Sequence, residues 1–269
     1  MNYPKISIIT PSYNQDQFLE ETIQSVLSQN YPNIEYIIID GGSTDNSVDI
    51  IKKYEKSLAF WVSEKDNGQT YAINKGLKMC SGDIIAYINS DDIYMVGAFE
   101  YIAKFFNENP KYDMVYGDCY IINENSKVIR KKLELDFDYL MGCFIGFGII
   151  IPQPTVFFAR AVFEKIGFFN EKYNYAMDAE YWARIATVSK IEHISKYLAS
   201  FRVHTASKTK IHLQETNNRY SEESIQLIRK SYENLMISNI ISFRYSFIIR
   251  KIYRIKRILV KFIKGFYFD

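Results

Sequence analysis

The sequence predicts an α/β fold with a mostly parallel sheet flanked by helices, followed by basic amphipathic helices. Three observations carry this. Over the first hundred residues, short runs rich in β-branched and aromatic residues alternate with segments of helical period. Each run ends in a cluster of polar and turn residues. Charge is also segregated: residues 243–269 hold eight basic residues and one acid, giving +7, while residues 1–242 (25 basic, 30 acidic) carry −5, so the formal net charge of +2 is a sum of opposites.

Taken in order, Ile6–Ile9, Tyr36–Ile39, Ala59–Val62 and Ile84–Ile88 have the continuous apolar character of strands buried on both faces. Between them, Phe18, Leu19, Ile23, Val26 and Leu27 recur at helical spacing. Val48, Ile51 and Tyr54 do the same after Ser43-Thr44-Asp45, where Ser43 is the expected N-cap, and a third helix fits Thr70–Leu77. This βαβαβαβ series implies a parallel sheet with helices on its faces. From 113 to 205 the pattern is mixed, with strands at Met114–Tyr116, Val128–Lys131, Val156–Phe158 and Leu198–Val203, and a helix around Asp178–Thr187. Gly146-Phe-Gly148 with Ile149–Ile151 reads as a loop and strand. Helices follow over 211–236 and 243–266, which divides the chain into a domain of residues 1–210 (halves 1–110 and 111–210) and a helical extension, 211–269.

Composition excludes several classes. With 269 residues, 48% hydrophobic and 24% charged, the chain buries a substantial core and is neither disordered nor collagen-like. Cys80, Cys119 and Cys143 are too few and too scattered for a metal site or disulfide framework, and read as reduced, buried thiols of a cytosolic protein. No signal peptide is expected at the N-terminus, and Met141–Pro152, the longest candidate span, is too short to cross a bilayer. Gly-x-Gly-x-x-Gly and Gly-x4-Gly-Lys-Ser/Thr are both absent.

In parallel α/β sheets the ligand sits beyond the carboxyl ends of the strands. Here those ends read Thr10-Pro11-Ser12-Tyr13-Asn14, Asp40-Gly41-Gly42-Ser43, Ser63-Glu64-Lys65-Asp66 and Asn89-Ser90-Asp91-Asp92. At least four carboxylates thus meet at one rim, which is costly unless a cation or a donor-rich ligand offsets them.

Read together, Ser7-Ile-Ile-Thr-Pro-Ser-Tyr-Asn14, Ile39-Asp-Gly-Gly-Ser-Thr-Asp45, Ser63-Glu-Lys-Asp-Asn-Gly68 with Ala72-Ile-Asn-Lys-Gly76, Gly82-Asp-Ile-Ile-Ala-Tyr-Ile-Asn-Ser-Asp-Asp92 and Phe201-Arg-Val-His-Thr-Ala-Ser207 resemble, in order and spacing, the motifs of family 2 glycosyltransferases. The resemblance covers about four-fifths of the chain. It implies the GT-A fold and metal-dependent, inverting transfer of a sugar from a nucleotide-sugar, a UDP-sugar being favoured, to a hydroxyl of a lipid-linked glycan in cell-surface polysaccharide synthesis. It also implies the site. Asp92 resembles the metal ligand of Asp-x-Asp, for Mn²⁺ or Mg²⁺, and His204 a second ligand. Asp91 belongs with the ribose or diphosphate, Asp40 and Asp66 with the nucleoside, and Pro11, Tyr13 and Asn74 with the donor in the same motifs. Asp178 in Tyr175-Ala-Met-Asp178 resembles the catalytic base. Asn89 and Met177 stand where many members carry acids. His193 and His212 take no role. Alternatives are a polyprenyl-phosphate sugar transferase and a non-catalytic nucleotide-sugar-binding module.

In the last segment, Arg250, Arg254, Arg257, Lys261 and Lys264 recur on one helical face and Ile248, Ile252, Ile255, Leu259, Phe262 and Phe266 on the other, with aromatic residues near the ends. Such a helix suits an anionic membrane, placing residues 243–268 at the inner face of the plasma membrane as a peripheral anchor. Docking of its apolar face on the catalytic domain and pairing in a homodimer remain open. No nucleic-acid motif accompanies the charge.

Overall fold

The computed structural model describes residues 3–208, 221–235 and 246–265. Strand β1 (Ile6–Ser12) is buried throughout and pairs in parallel with β2 (Ile34–Asp40) and β4 (Ile84–Tyr87), while β2 pairs in parallel with β3 (Phe60–Ser63). Helices α1 (Asp16–Leu27), α2 (Ser47–Tyr54) and α3 (Gln69–Met79) make the crossovers. Strand alternation sorts the core into two faces. Ile9, Ile37, Ile39, Ile85 and Tyr87 pack with Ala72, Ile73 and Leu77 of α3. Ile6, Ile8, Ile38, Ile84 and Ala86 pack with Leu19, Ile23 and Val26 of α1 and with Phe99 and Ile102 of α4 (Ala98–Glu108).

Beyond β4 the sheet becomes mixed. Strand β8 (Phe157–Ala159) lies antiparallel to β4 and to β6 (Met114–Ile122), which runs parallel with β9 (Ile191–Arg202). The short β5 (Ile93–Tyr94) and the exposed β7 (Val128–Lys132) bring the sheet to nine strands among the described residues. The β6–β9 ladder is longer than the apolar runs suggest because it continues through a register shift at Gly117 and Asp118. A Cβ at Gly117 would stand 2.6 Å from the Lys196 carbonyl oxygen, so only glycine allows this approach.

Two expectations are corrected. Ile149–Ile151 is not a strand: the segment folds as α5 (Tyr139–Ile145) and α6 (Phe147–Ile150), turning at Gly146 with φ 104°. Ser43 does not cap α2, which begins at Ser47 with its amide on Asp45 Oδ1 at 2.9 Å, leaving the Ser43 hydroxyl for Asp40. Helices α7 (Arg160–Ile166) and α8 (Met177–Val188) lead into β9. Of the helix expected over 211–236, Glu222–Glu233 forms α9, whereas 211–220, with His212, and the boundary at 210 lie outside the described residues. Cys80, Cys119 and Cys143 are free and buried.

Helix α10 (Phe247–Ile263) seats Ile249, Tyr253 and Val260 against the core, with Tyr253 stacked on Phe144 at 5.0 Å. Its cations reach the alternating acids after β7. Arg257 Nη2 lies 2.7 Å and Lys261 Nζ 3.3 Å from Glu134 Oε2, and Lys256 Nζ lies 2.8 Å from Asp138 Oδ2. Glu134 is wholly buried, and such a carboxylate is tolerated only with partners of this kind. Arg257 and Lys261 therefore turn inward, and the isoleucine-rich face, which had docking on the domain as one possible fate, turns outward. Phe266, Tyr267 and Phe268 lie outside the described residues. Among the described residues no helix is long and apolar enough to cross a membrane.

Candidate active site

The four parallel strands end side by side, which brings Ser12, Asp40, Ser63 and the loop after β4 to one rim. Asp40 is fully buried and its carboxylate is occupied. Oδ1 accepts from the Gly42 amide (3.1 Å), the Ser43 amide (2.9 Å) and the Ser63 hydroxyl (2.6 Å), and Oδ2 accepts from the Ser43 hydroxyl (2.5 Å). Asn14, at φ 50°, clasps the same loop, with Oδ1 accepting from the Thr44 amide at 2.8 Å. A Cβ on Gly41 would meet the Asp66 carboxylate at 3.1 Å, so the missing side chain leaves Asp66 room at the loop. Burial, aided by the charge of Asp40, pushes the Asp66 carboxyl above the usual range, and the Gly68 amide opposes this. Pro11 lies within β1 beside Ile39, and Tyr13 is 60% exposed at the rim. Asn74 is engaged elsewhere: its amide donates to the Phe169 carbonyl (2.9 Å) and Glu171 (3.0 Å) and accepts from the Phe169 amide (2.9 Å).

The two neighbouring acids after β4 differ sharply. Asp91 Oδ2 lies 3.0 Å from His204 Nε2, whose ring packs against Phe18 at 4.6 Å. Asp92 is wholly buried: Oδ1 accepts from the Arg202 amide at 2.8 Å, and Oδ2 has no partner. Burial, followed by the charge of Asp91, raises the Asp92 carboxyl well above the ordinary aspartate value. Buried Arg202 ties the turn together, donating to the Asp91 carbonyl at 2.7 Å and to Glu21 at 2.5 Å. It is a positioning residue that sequence reasoning did not single out, although it lies in the same Phe-Arg-Val-His motif as His204.

Sequence reasoning also missed an amide chain below this turn. Lys208 Nζ reaches Gln69 Oε1 (3.3 Å), Gln69 Nε2 donates to Asn89 Oδ1 (2.6 Å), Asn89 Nδ2 donates to Gln153 Oε1 (3.1 Å), and Gln153 Nε2 donates to the Tyr87 carbonyl (2.9 Å). Asn89 serves as both acceptor and donor, which a carboxylate cannot do.

Asp178 opens α8 and lines a cavity of about 890 Å³. Its Oδ1 accepts from the Ala179 amide at 2.7 Å, and burial raises its carboxyl above the usual value against that hydrogen bond. Gly148 and Pro154 flank the cavity, and Lys132, Arg257 and Lys261 give it a basic wall. Burial lowers nearby Lys208, with Glu223 and Asp178 acting the other way. The arrangement sets a polar strand rim, with Asp91 and His204, beside a cavity lined by two carboxylates, Asp178 and the Glu134 already paired with Arg257 and Lys261, as a two-substrate reaction needs.

Among the described residues, no three His, Cys, Asp or Glu side chains converge on one point. Asp91 and His204 nonetheless fit a divalent cation as an oxygen and nitrogen pair, next to the unpartnered carboxylate oxygen of Asp92.

Comparisons agree with this architecture. Residues 7–167 match the model of "Glycosyl transferase family 2". The chain is 27% identical over 224 residues to an uncharacterized glycosyltransferase of Rickettsia typhi, covering 79% of this chain and 68% of the relative. It is 32% identical over 140 residues to the poly-beta-1,6-N-acetyl-D-glucosamine synthase of Staphylococcus epidermidis, covering 51% of this chain and 34% of that one. Its fold is similar to S. aureus TarS 1-349 in complex with UDP-GlcNAc (TM-score 0.68, 20% identity, 86% and 67% of the two chains). It is also similar to the mannosyltransferase PcManGT of Pyrobaculum calidifontis in complex with GDP-Man and Mn²⁺ (TM-score 0.62, 14% identity, 87% and 70%). The chain belongs to glycosyl transferase family 2 and is a glycosyltransferase of the GT-A fold.

Proposed function

We propose that the protein transfers a sugar, with inversion, from a UDP-sugar to a hydroxyl of a lipid-linked glycan in cell-surface polysaccharide synthesis, working at the inner face of the plasma membrane. The observation that carries this reading is the link between the strand rim and the cavity that Asp178 lines: Gln153 lines that cavity and accepts from Asn89 of the loop after β4. The UDP-GlcNAc bound by TarS and the polysaccharide product named for the Staphylococcus epidermidis relative support the choice of donor and pathway class.

Asp66 and exposed Tyr13 receive the nucleoside at the rim, with Pro11 shaping its floor. Asp40, expected at the nucleoside, instead holds the Gly41–Ser43 loop in place for the donor, a reading supported by the four hydrogen bonds that its carboxylate accepts. Asp91 and His204 would hold a divalent cation, Mn²⁺ or Mg²⁺, in place of Asp92, the ligand expected from the motif, which is wholly buried with one oxygen on the Arg202 amide and supports their turn. When bound, the cation neutralises charge that develops on the diphosphate as it leaves.

Asp178 accepts the proton of the attacking hydroxyl. A carboxyl raised by burial is a stronger base once ionised than an ordinary aspartate, and the Ala179 amide fixes its orientation. The Asp178→Asn variant tests this: full transfer by a variant that still binds donor would remove Asp178 from the mechanism.

The basic wall of the cavity favours a second reading, in which the acceptor is a polyprenyl phosphate. That acceptor is already anionic and needs no base, so its transfer would survive Asp178→Asn. A panel of nucleotide-sugars, screened by thermal shift with Mn²⁺ and then for sugar release, identifies the donor and separates an enzyme from a binding module.

A further inference from the structure

We propose that the outward face of α10 docks on an anionic phospholipid surface, and that this contact brings a membrane-borne acceptor to the cavity holding Asp178. The proposal rests on the reading of that cavity as the acceptor site and assigns the face through which the membrane is met.

Ile248, Ile252, Ile255, Leu259 and Ile263 are 56%, 57%, 54%, 53% and 80% exposed. They recur along one side of a 17-residue helix about 26 Å long. This continuous aliphatic ridge differs from scattered surface residues, and ridges of this size mark interaction sites. The helix cannot roll to hide it. Arg257 and Lys261 are held on buried Glu134, and Tyr253 is stacked on Phe144, so the ridge is fixed outward.

Charge decides the occupant. Lys251 is exposed within the ridge face, and β7 presents exposed Val128 and Ile129 followed by basic Arg130 on the same cavity as α10. An apolar ridge with basic neighbours matches acyl chains beneath anionic headgroups. A second copy packed ridge to ridge would bring the exposed Lys251 of both copies into one interface, which like-charge repulsion opposes. Ile258 joins the two functions: it is 55% exposed and also lines the cavity, so the cavity adjoins the docking face.

The experiment is flotation of the full chain with vesicles of phosphatidylcholine alone or mixed equally with phosphatidylglycerol. The chain is expected to float with the mixed vesicles, and an Ile252→Glu, Ile255→Glu double variant to lose about tenfold or more of that binding while donor turnover in solution is unchanged. Should that variant fold poorly, Ile255→Cys carrying an environment-sensitive fluorophore is expected to shift its emission to the blue on mixed vesicles only. Equal binding of wild type and variant, indifference to phosphatidylglycerol, or a dimer in light scattering that the variant turns into monomers overturns the proposal. The two readings fail separately: turnover without flotation overturns docking alone. Flotation with transfer unaffected by Asp178→Asn overturns Asp178 as the base for a hydroxyl acceptor and supports docking.

Discussion

Asp91 Oδ2 and His204 Nε2 stand 3.0 Å apart although 113 residues separate them in the chain. The contact exists because β9 returns beside the loop after β4 and Arg202 binds both backbone and side-chain oxygens of that loop. If the pair holds the cation, Asp91→Asn and His204→Ala each weaken Mn²⁺ binding by about tenfold or more. Wild-type protein gains about 2.7 kcal/mol at a ligand concentration 100 times Kd, and thermal shift with Mn²⁺ and UDP-GlcNAc reads the loss in each variant.

Asp178 predicts a pH dependence. Burial raises its carboxyl, and a general base works only when ionised, so kcat/KM falls on acidification at a higher pH than an ordinary aspartate dictates. The same shift carries a stability term of opposite sense: the folded state holds this proton more tightly than the unfolded chain, so the contribution is present below the unfolded value and is lost as pH rises through the folded one. Asp178→Asn removes both effects and lowers kcat by about 10²-fold or more. A pH–rate profile beside pH-dependent urea melts checks the pair.

Gly148 lines the cavity beside the base. A Cβ there would lie 3.2 Å from Ala179 Cβ and 3.9 Å from Asp178 Oδ1. Gly148→Val is expected to lower transfer by about tenfold or more while leaving the donor thermal shift unchanged, because the added bulk enters acceptor space. Parallel loss of donor binding would place the cavity on the donor side.

Glu134 anchors α10 from a fully buried position through Arg257 and Lys261. Removing one partner of such a cluster leaves buried charge uncompensated, so Glu134→Ala should cost about 3–5 kcal/mol in urea unfolding. Lys256→Ala, which removes a half-exposed partner of Asp138, should cost about 1 kcal/mol or less.

Asn89→Asp tests the amide chain. The carboxylate still accepts from Gln69 but has no proton to give Gln153, whose other end is held on the Tyr87 carbonyl. A loss of about 1–3 kcal/mol, seen as a lower urea midpoint at unchanged slope, is expected.

The first half of the fold was legible in the sequence because strands buried on both faces leave unbroken runs such as Ile6–Ile9 and Tyr36–Ile39, and because the turn residues after each run mark the ligand edge. The motifs likewise singled out Asp92 and His204 for the cation, Asp91 for the ribose or diphosphate and Asp178 for the base. What they did not convey was which oxygen of each acid is spent on the protein: Asp40 and Asp92 look as available as Asp91 until Ser63 and Arg202 arrive from distant strands. Long-range pairing also hid the full length of β6 and β9, expected only over Met114–Tyr116 and Leu198–Val203, because the register shift at Gly117 interrupts the apolar pattern. Helix α10 makes the division plainest. Its periodicity defines a basic face and an apolar face but is silent on which one turns inward, since both directions satisfy the same spacing. Tertiary structure decided it through one buried carboxylate, Glu134, whose desolvation only a cation can offset, and this left the aliphatic face outward.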